Sequence, residues 1–294
     1  MNVLISGASG LIGSALVPYL EAQGHSVFIL HRNKKDSPFN WDPDSGHIQL
    51  DSDIHLDAVI NLNGVNIGDQ RWSPRRKQQI IQSRTDSTDL LARSIAKLPT
   101  PPTVFLSASA IGFYGETGSV AVNENSPAGS NFLSQVVSPW EQAALPAQAA
   151  GIRTVFMRSG VVITPNGGAL KKMLLPFKLG LGGKVGSGKQ YMSWISLSDE
   201  IRAMEFLLNN DISGPVNLTA PAPVSNQDFT KALGHALNRP TVFPMPEFVV
   251  KALFGEMGDL LLLGSSRVLP AVLLEKGFSF KHNYIDDAFR FEQL

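Results

Sequence analysis

Three glycines spaced three residues apart, Gly7, Gly10 and Gly13, follow a short apolar run and precede helically spaced apolar residues. In a strand–turn–helix unit the first permits a tight turn, the second lets the backbone approach a pyrophosphate, and the third lets the helix pack against the strand. The N–H groups at the start of that helix attract phosphate oxygens. This context favours a dinucleotide-binding turn over a purely structural one. We predict that the turn consists of Gly7, Ser9, Gly10, Leu11, Ile12 and Gly13.

The second apolar run of the chain ends at His31 and Arg32. An NAD site usually has an acid at this point, which accepts a hydrogen bond from the ribose 2′-hydroxyl. Residues 26–35 contain no Asp or Glu, whereas Arg32, Lys34 and Lys35 supply positive charge. Because arginine pairs well with a 2′-phosphate, this pattern favours NADP(H) as the cofactor, with His31 and Arg32 at its adenosine end. A solvated basic loop is the alternative interpretation.

The composition excludes several other kinds of site. Lys plus Arg and Asp plus Glu both total 25, so the formal net charge is zero, and we expect neither nucleic acid nor a membrane surface as a partner. The chain has no Cys, which excludes disulfides and thiolate sites. The six His residues show no metal-ligand spacing, so we predict no metal site. We recognise no signal peptide and no membrane-spanning run, and we expect a cytoplasmic location.

The glycines and the basic loop need a scaffold, and the apolar pattern predicts one. Short apolar runs of strand type cover residues 2–6, 26–31, 57–62, 103–109 and 153–163. Helical spacing fills the intervals at residues 14–23, 74–98 and 138–150. Strands that alternate with helices are typical of βαβ units with a parallel sheet and right-handed crossovers. We therefore predict a Rossmann-type doubly wound α/β fold, with residues 1–164 as the NADP-binding domain.

The pattern changes after residue 164. Glycine-rich stretches at 165–168 and 180–188 are predicted loops. A strand at 215–220, an extended piece at 241–246 and helices at 226–237, 247–263 and 267–275 follow. We predict that residues 165–294 form a smaller C-terminal α/β lid over a substrate. No linker separates the lid from residues 1–164, so the two parts should pack as one unit.

With these features placed, the chain resembles the extended short-chain dehydrogenase/reductase superfamily. Within it, the chain is similar to an atypical branch, the epimerase family proteins of the YfcH type. The matching segments are ISGASGLIG at 5–13, VINLNG at 59–64, RW at 71–72, SRTDSTDLL at 83–91, SASAIGFYG at 107–115, RSGVVI at 158–163, GSGKQYMSWISLSDE at 186–200, GPVNLTAP at 214–221 and RVLPAVLLEKGFSF at 267–280. The resemblance implies a Rossmann domain with a C-terminal substrate lid and a bound NAD(P).

The resemblance also implies further cofactor contacts. They are Leu62, Asn63 and Gly64 after a strand, Gln79 and Arg84 on the long helix, and Val162. The first three lie at the carboxyl edge of the sheet, where ligands of such folds bind. Val162 corresponds to a position near the nicotinamide half. For Gln79 and Arg84, an ordinary polar helix surface is the alternative.

Catalytic members of the superfamily use a Ser together with a Tyr and a Lys four residues apart on a helix. The Lys cation lowers the pKa of the Tyr hydroxyl, which transfers a proton. Aligned by its other motifs, this chain has Phe132 and Val136 at those two positions, so the pair is absent. Ser109 remains as a group that could polarise a substrate oxygen, and Tyr114 as a second hydroxyl. For Tyr114, packing against the rim of the sheet is the favoured alternative.

Two functions are consistent with this pattern. The first is an NADP(H)-dependent oxidoreductase or nucleotide-sugar epimerase acting on a small-molecule substrate, with Lys189, Gln190 and Trp194 as candidate substrate contacts in the lid. The intact glycine turn favours it. The second is a non-catalytic NADP(H)-binding or redox-sensing protein, which the missing Tyr–Lys pair favours. A homodimer is the candidate assembly.

Overall fold

A mostly parallel sheet of eight strands lies at the centre of the computed structural model, which describes residues 1–32, 34 and 36–292. Within those residues, three two-stranded sheets accompany the main one. The strands of all four sheets are β1 (Asn2–Ser6), β2 (Ser26–Arg32), β3 (Phe39–Asp42), β4 (His47–Leu50), β5 (Ala58–Asn61), β6 (Val104–Ala110), β7 (Ala121–Val122), β8 (Arg153–Ser159), β9 (Val161–Ile163), β10 (Tyr191–Met192), β11 (Trp194–Ser196), β12 (Gly214–Leu218), β13 (Val224–Ser225) and β14 (Arg267–Val268). Lys35, part of the predicted basic loop, lies outside the described residues.

Helices connect these strands and form most of the C-terminal part. The α-helices are α1 (Gly13–Ala22), α2 (Pro74–Ile95), α3 (Phe132–Gln142), α4 (Leu145–Ala149), α5 (Gly168–Lys178), α6 (Leu197–Asn209), α7 (Asn226–Leu237), α8 (Glu247–Phe254), α9 (Glu256–Gly258), α10 (Ala271–Glu275) and α11 (Ile285–Phe291). A 3₁₀ turn covers Ile111–Tyr114, and a π-helical turn covers Asp259–Leu263. No described helix is both long and apolar enough to cross a bilayer.

The order of strands in the main sheet is β12-β8-β6-β5-β1-β2-β3-β4. All neighbouring pairs are parallel except β3 with β4. The chain builds outward from β1 through β2 and β3, and then returns to the other side of β1 with β5. This reversal leaves a crevice beyond the carboxyl ends of β1 and β5, where doubly wound folds bind ligands. The predicted Rossmann-type doubly wound fold is thereby confirmed.

Both faces of the main sheet are covered by helices, because its central strands are apolar on both sides. Val3 and Ile5 of β1 belong to a buried cluster with Leu16 of α1 and Met204 of α6. Leu4, between them in sequence, belongs to the cluster on the opposite face, which includes residues of α2 and α4. The alternation of side chains along a strand therefore places two separate cores against one sheet.

A third core joins α5, α7 and α11 to β9 and β11, and its large buried side chains include Trp194, Phe229 and Phe289. Apart from Val161 and Ile163 of β9, this core lies within the predicted lid. Residues 197–218 nevertheless return to the main sheet, because β12 pairs with the outer edge of β8 and α6 packs on the same face as α1. Helix α6 and strand β12 of the predicted lid therefore pack directly on the main sheet.

One predicted helix begins earlier than its apolar spacing indicates. The prediction was a single helix over residues 138–150, but α3 already begins at Phe132. The side chain of Asn131 accepts a hydrogen bond from the Ser134 N–H at 3.2 Å, which caps the helix. The remainder forms the separate short helix α4. The Asn131 cap therefore decides where α3 begins, and the apolar spacing does not.

Two further helix predictions fail at breaking residues. The predicted helix 247–263 is interrupted at Gly255, whose φ of 59° favours glycine. The predicted helix 267–275 is the strand β14 followed by α10, because Pro270 has no N–H to continue a helix through that point. Strands β3 and β4 and helices α5 and α6 were not predicted, and packing with segments distant in sequence stabilises them.

Candidate functional site

The turn after β1 has the geometry of a phosphate-binding turn. Gly7 has a φ of 75°, and a Cβ there would lie 2.8 Å from the carbonyl oxygen of Leu62. A Cβ on Gly13 would lie 2.4 Å from the carbonyl oxygen of Gly7, so only glycine lets α1 approach this closely. A Cβ on Gly10 would have one described neighbour within 4 Å, the Gly7 carbonyl oxygen at 3.2 Å. The space above Gly10 can therefore hold a pyrophosphate.

The first turn of α1 is open to a ligand. Among the described residues no side chain caps it, Ser9 and Gly10 are exposed, and Leu11 and Ile12 are half-buried. The positive end of the helix dipole and the N–H groups at this end attract phosphate. A Cβ on Gly167, just before α5, would lie 2.6 Å from Leu11 Cδ1. The start of the lid helix α5 therefore contacts the phosphate-binding turn.

The opposite wall of the crevice follows β5. Ser6 and Asn61 are register partners at the ends of β1 and β5, and the Ser6 hydroxyl donates to Asn61 Oδ1 at 2.6 Å. The Leu62 N–H donates to the Ser6 carbonyl oxygen at 3.1 Å. Asn63 and Gly64 come next and lie at the carboxyl edge of the sheet. The structure therefore brings these three predicted contacts beside the glycine turn.

A cavity of about 790 Å³ opens at the end of β2, between that strand, the β3–β4 turn and α2. The guanidinium groups of Arg32, Arg75 and Arg76 line it, together with the carboxylates of Asp44 and Asp86. The other lining residues are Pro43, Val65, Gln70, Ser73, Gln78, Gln79, Gln82 and Ser83. Cationic groups therefore outnumber anionic ones, and the neutral lining is rich in amides that can bind a base or a sugar.

Arg76 is a candidate site residue that the sequence reasoning missed. Its Nη1 donates to Gln79 Oε1 at 2.7 Å, and its Nη2 donates to the carbonyl oxygen of Asn66. Its Nε is buried without a hydrogen-bond partner among the described residues. Gln79, a predicted cofactor contact, therefore positions Arg76 in the cavity that Arg32 also lines. The sequence contained a signal for Arg76, because it lies three residues before Gln79 and residues three apart on a helix share a face.

Arg84, in contrast, does not line this cavity. Its Nη2 donates to the carbonyl oxygen of Val65 at 3.0 Å, and its guanidinium lies 5.0 Å from the Trp140 ring centroid. Burial lowers the pKa of Arg84 to about 10, with a smaller contribution from Arg76. A Cβ on Gly64 would lie 3.2 Å from Arg84 Cζ. This arginine therefore supports the loop after β5 through backbone contacts.

The two remaining predicted cofactor residues lie at opposite ends of the crevice. His31 is half-buried in β2, and burial lowers its pKa, as does the charge of Lys34. Val162 lies in β9, where it pairs with β11, and it packs against the same core as Ile12 and Leu62. Val162 thus lies near the turn and the β5 loop, whereas His31 lies near Arg32.

A buried network occupies the region where catalysis is predicted. Ser109 is the second-last residue of strand β6, and its hydroxyl donates to Glu141 Oε1 at 2.6 Å. The Glu141 carboxylate also accepts from Arg158, with Nε at 2.7 Å and Nη2 at 2.8 Å. Both oxygens of this carboxylate therefore already accept hydrogen bonds inside the protein. Ser109 is only 4% exposed, and its hydroxyl hydrogen is used in the bond to Glu141.

Tyr114 belongs to the same network. Its hydroxyl accepts from Arg158 Nη1 at 2.9 Å and donates to Asn217 Oδ1 at 2.7 Å. Burial raises the pKa of Tyr114, and the charge of Arg158 acts in the opposite direction. The Asn217 N–H in turn donates to Glu124 Oε1 at 3.0 Å. The phenol is therefore buried and hydrogen-bonded on both sides, which favours a role in joining β6 to β12.

Phe132 and Val136 lie on the side of α3 that faces α2. Both share a buried cluster with Ile80 of α2. The ring of Trp72 lies 4.8 Å from the Phe132 ring in an edge-on arrangement. Lys77 Nζ lies 4.6 Å from the same ring. These two side chains therefore contribute to the contact between α2 and α3.

Helix α3 turns Leu133 and Val137 towards the 3₁₀ turn that follows β6. A Cβ on Gly112, three residues after Ser109, would lie 3.1 Å from Leu133 Cβ and 3.6 Å from Val137 Cγ2. One residue rotates a side chain by more than a quarter turn on a helix, so Leu133 and Val137 face a different neighbour from Phe132 and Val136. None of these four side chains can transfer a proton.

Two ion pairs connect the lid with the Rossmann domain. Lys77 of α2 lies 2.5 Å from Glu256 of α9, and Lys172 of α5 lies 3.3 Å from Asp69 in the loop after β5. Lys172 also donates to the carbonyl oxygen of Gly68 at 2.8 Å. The lid is therefore held against the loop that follows β5.

Two of the three lid residues predicted to contact a substrate have other partners. Gln190 is buried and donates to the carbonyl oxygens of Val185 and Leu262 at 3.0 Å each. Trp194 is fully buried, and its indole N–H donates to the Ala222 carbonyl oxygen at 3.0 Å. Lys189 is exposed. Within the described part of the chain, no three His, Asp or Glu side chains are placed to hold a metal.

Comparison with known sequences assigns most of the chain. Residues 3–218 match the NAD dependent epimerase/dehydratase family, and residues 245–292 match a domain of unknown function, DUF1731. An epimerase family protein of Mycobacterium bovis, Mb2239, is 46% identical over 289 residues, which cover 97% of this chain and 95% of that protein. Human epimerase family protein SDR39U1 is 37% identical over 285 residues, 95% of each chain.

Solved structures agree with this assignment. The crystal structure of human SDR39U1 with NADPH has a TM-score of 0.91 and 34% identity, and covers 100% of this chain and 99% of that one. A nucleoside-diphosphate sugar epimerase of Corynebacterium glutamicum has a TM-score of 0.80 and 32% identity, covering 100% of this chain and 58% of that one. As the sequence resemblance predicts, the chain belongs to the NAD dependent epimerase/dehydratase family.

Proposed function

We propose that this protein binds NADP(H) in the crevice between β1 and β5. The observation that carries the proposal is the convergence of Arg32, Arg75 and Arg76 on one cavity at the end of β2. A ribose 2′-phosphate is a dianion with several acceptor oxygens, and guanidinium groups bind such oxygens with paired hydrogen bonds. A 2′-hydroxyl would leave this excess of positive charge without a partner.

The position of the cavity supports the same cofactor. In doubly wound folds the adenosine ribose lies at the end of the second strand and the pyrophosphate lies at the glycine turn after the first. Arg32 ends β2, and the space above Gly10 is open. The human relative SDR39U1 was crystallised with NADPH, and its fold matches over the whole of this chain.

Each part of the site then has a physical task. The start of α1 and Gly10 hold the pyrophosphate, Arg32 and Arg76 bind the 2′-phosphate, and Gln79 positions Arg76. Arg84 keeps the loop after β5 in place. When bound, NADPH supplies a hydride to an electrophilic carbon. The lid, held by its ion pairs to α2 and to the β5 loop, limits the access of water to that region.

We extend the proposal to a redox or epimerase reaction on a small-molecule substrate. Because the similar Corynebacterium glutamicum protein is a nucleoside-diphosphate sugar epimerase, nucleoside-diphosphate sugars are one class to test. A non-catalytic NADP(H)-binding or redox-sensing role is the second candidate. One observation favours it: the hydroxyls of Ser109 and Tyr114 are buried in a network, and the α3 side chains beside Gly112 are the apolar Leu133 and Val137.

Titration calorimetry with NADPH and NADH tests the cofactor proposal. We expect NADPH to bind at least about tenfold more tightly, since a hydrogen bond to a charged group contributes about 1.5–3 kcal/mol. Arg32→Ala should remove this preference and leave NADH binding unchanged. Arg93→Ala is the matched control, because Arg93 lies on α2 outside the cavity and pairs with Asp89. Equal affinity of the unmodified protein for both cofactors would disprove the proposal.

A further inference from the structure

The lid carries a group of protruding apolar side chains that no core absorbs. We call them the lid ridge: Leu175, Leu179, Leu181, Val242, Phe243 and Phe248. Each is between 56% and 73% exposed. Single exposed apolar residues are common on protein surfaces, but a contiguous group marks an interaction site. The first question is therefore whether these six side chains adjoin one another.

Hydrogen bonds hold the two segments of the lid ridge side by side. The Phe243 N–H donates to the Gly182 carbonyl oxygen at 3.2 Å, and the Met245 N–H donates to the Lys184 carbonyl oxygen at 2.9 Å. Arg239 Nε donates to the Lys178 carbonyl oxygen at 2.9 Å. The end of α5 with the loop after it therefore runs alongside residues 239–248. These contacts place Leu179 and Leu181 beside Val242 and Phe243, and Leu175 and Phe248 extend the two segments.

The charges on and beside this surface are mostly positive, and the exposed carboxylate of the second segment, Glu247, is paired with Lys251. Residues 165–198 contain five lysines and no Asp or Glu, although the whole chain has zero net charge. Lys178 lies between Leu175 and Leu179 on α5, Lys184 follows Leu181, and all five of these side chains are exposed. The neutral total therefore conceals a surface that is both apolar and basic.

We propose that the lid ridge docks on an anionic phospholipid surface. Its leucine and phenylalanine side chains would enter the interfacial layer, while Lys178, Lys184 and Arg239 meet the headgroups. Lysine and arginine suit this arrangement, because their long stems lie along apolar surface while the charge stays in water.

Two features distinguish this partner from others. A symmetric contact between two copies of the chain would bring two positively charged surfaces together, and the repulsion between them is unfavourable. An amphipathic protein helix binds in a groove, whereas the ridge side chains protrude and the 790 Å³ cavity lies elsewhere, at the end of β2. A bilayer interface needs no groove and accepts protruding apolar groups.

Co-sedimentation of the full chain with vesicles tests the proposal. We expect binding to vesicles of phosphatidylcholine mixed with phosphatidylglycerol, little binding to phosphatidylcholine alone, and weaker binding as salt rises. The double variant Leu179→Ser, Phe248→Ser should bind at least about tenfold more weakly, since it removes two large apolar groups. Leu145→Ser is the matched control, an exposed leucine on α4 at 45% exposure that should change nothing.

A second pair of variants tests the charges. Lys178→Gln combined with Lys184→Gln should weaken binding to the anionic vesicles by about an order of magnitude, while Lys97→Gln on the Rossmann domain should not. NADPH affinity, unchanged in every variant, shows that the chain remains folded. Failure to bind the anionic vesicles would overturn the proposal. Light scattering would also overturn it if the unmodified chain is a dimer and the Leu179→Ser, Phe248→Ser variant is a monomer. Binding of an acidic protein that depends on the ridge, without binding to vesicles, would overturn it as well.

Discussion

The hydroxyl of Ser109 lies 2.6 Å from Glu141 Oε1, and the same carboxylate is paired with Arg158. This arrangement fixes the only hydroxyl at the end of β6 that the sequence had proposed for catalysis. Both Glu141 oxygens accept hydrogen bonds from the Arg158 guanidinium, so the ion pair holds the carboxylate in place. The site is thus well ordered but poorly equipped for proton transfer.

We predict slow turnover on simple carbonyl substrates even with NADPH bound. A positioned general acid or base typically contributes about 10²–10⁴-fold to a rate, and Leu133 and Val137 cannot provide one. NADPH oxidation in the presence of an aldehyde panel, followed by absorbance, measures this. Fast turnover that is lost in Tyr114→Phe would show that the buried phenol acts in the reaction after all.

Tyr114→Phe should instead lower stability. The change leaves Arg158 Nη1 and Asn217 Oδ1 without their shared partner inside the protein. An unsatisfied buried polar group costs about 1–3 kcal/mol. Urea denaturation measures the loss, and Tyr284→Phe is the matched control because Tyr284 is 65% exposed. Equal stability of the two variants would contradict the proposed junction of β6 with β12.

Removal of one member of the buried ion pair should be more damaging. Glu141→Ala leaves the Arg158 guanidinium buried without its carboxylate, and breaking such a pair costs about 3–5 kcal/mol. The pair is 4% and 11% exposed at its two side chains. The surface pair of Arg93 and Asp89 supplies the control, since Asp89→Ala should scarcely change the urea midpoint. A small effect of Glu141→Ala would show that water replaces the carboxylate.

The 2′-phosphate contacts can be separated by substitution on α2. Arg76→Ala should weaken NADPH binding by about tenfold to hundredfold, from the loss of about 1.5–3 kcal/mol, and leave NADH binding unchanged. Gln79→Ala should have a smaller effect in the same direction, because it releases Arg76 rather than removing it. Equal losses for both cofactors would place Arg76 at the pyrophosphate or the adenine instead.

Two glycines of the turn should respond in opposite ways to the same substitution. Gly10→Val should fold normally and lose dinucleotide binding, because its side chain occupies the space above the turn. Gly13→Val should fold poorly, because a Cβ there would lie 2.4 Å from the Gly7 carbonyl oxygen. Circular dichroism and calorimetry distinguish the two outcomes. Normal NADPH binding by Gly10→Val would show that the pyrophosphate lies elsewhere.

Glu200 should make stability depend on pH. Burial raises its pKa from 4.5 to about 8, while the hydrogen bond with Ser159 acts in the opposite direction. Between these values the folded chain keeps a proton that the unfolded chain releases. The free energy of unfolding should therefore fall by about 1.4 kcal/mol per pH unit as pH rises through this window, and level off above pH 8.

Glu200→Gln should flatten this dependence, since the amide cannot titrate. Urea denaturation at several pH values between 5 and 8, compared with the exposed control Glu275→Gln, measures the difference. A slope that persists in Glu200→Gln would assign the pH dependence to another group.

The sequence by itself determined the features that depend on local spacing. Gly7, Gly10 and Gly13 predict their turn because each role is a backbone requirement within seven residues. The alternation of strand and helix predicts the doubly wound sheet, because each βαβ unit is also built from neighbouring segments of the chain. The family motifs extend this to the end of the chain. Arg32 could be singled out because its position follows directly from the end of β2.

Tertiary structure alone decided the contacts between distant segments. Arg76 joins Arg32 because α2 crosses the end of β2, and Glu141 meets Ser109 and Arg158 because α3 packs beside β6 and β8. The face of α3 that lies against Gly112 depends on how the helix packs, since successive side chains are rotated by about 100°. Likewise, the five lysines of residues 165–198 can be counted in the sequence, but only the fold places Val242 and Phe243 beside them.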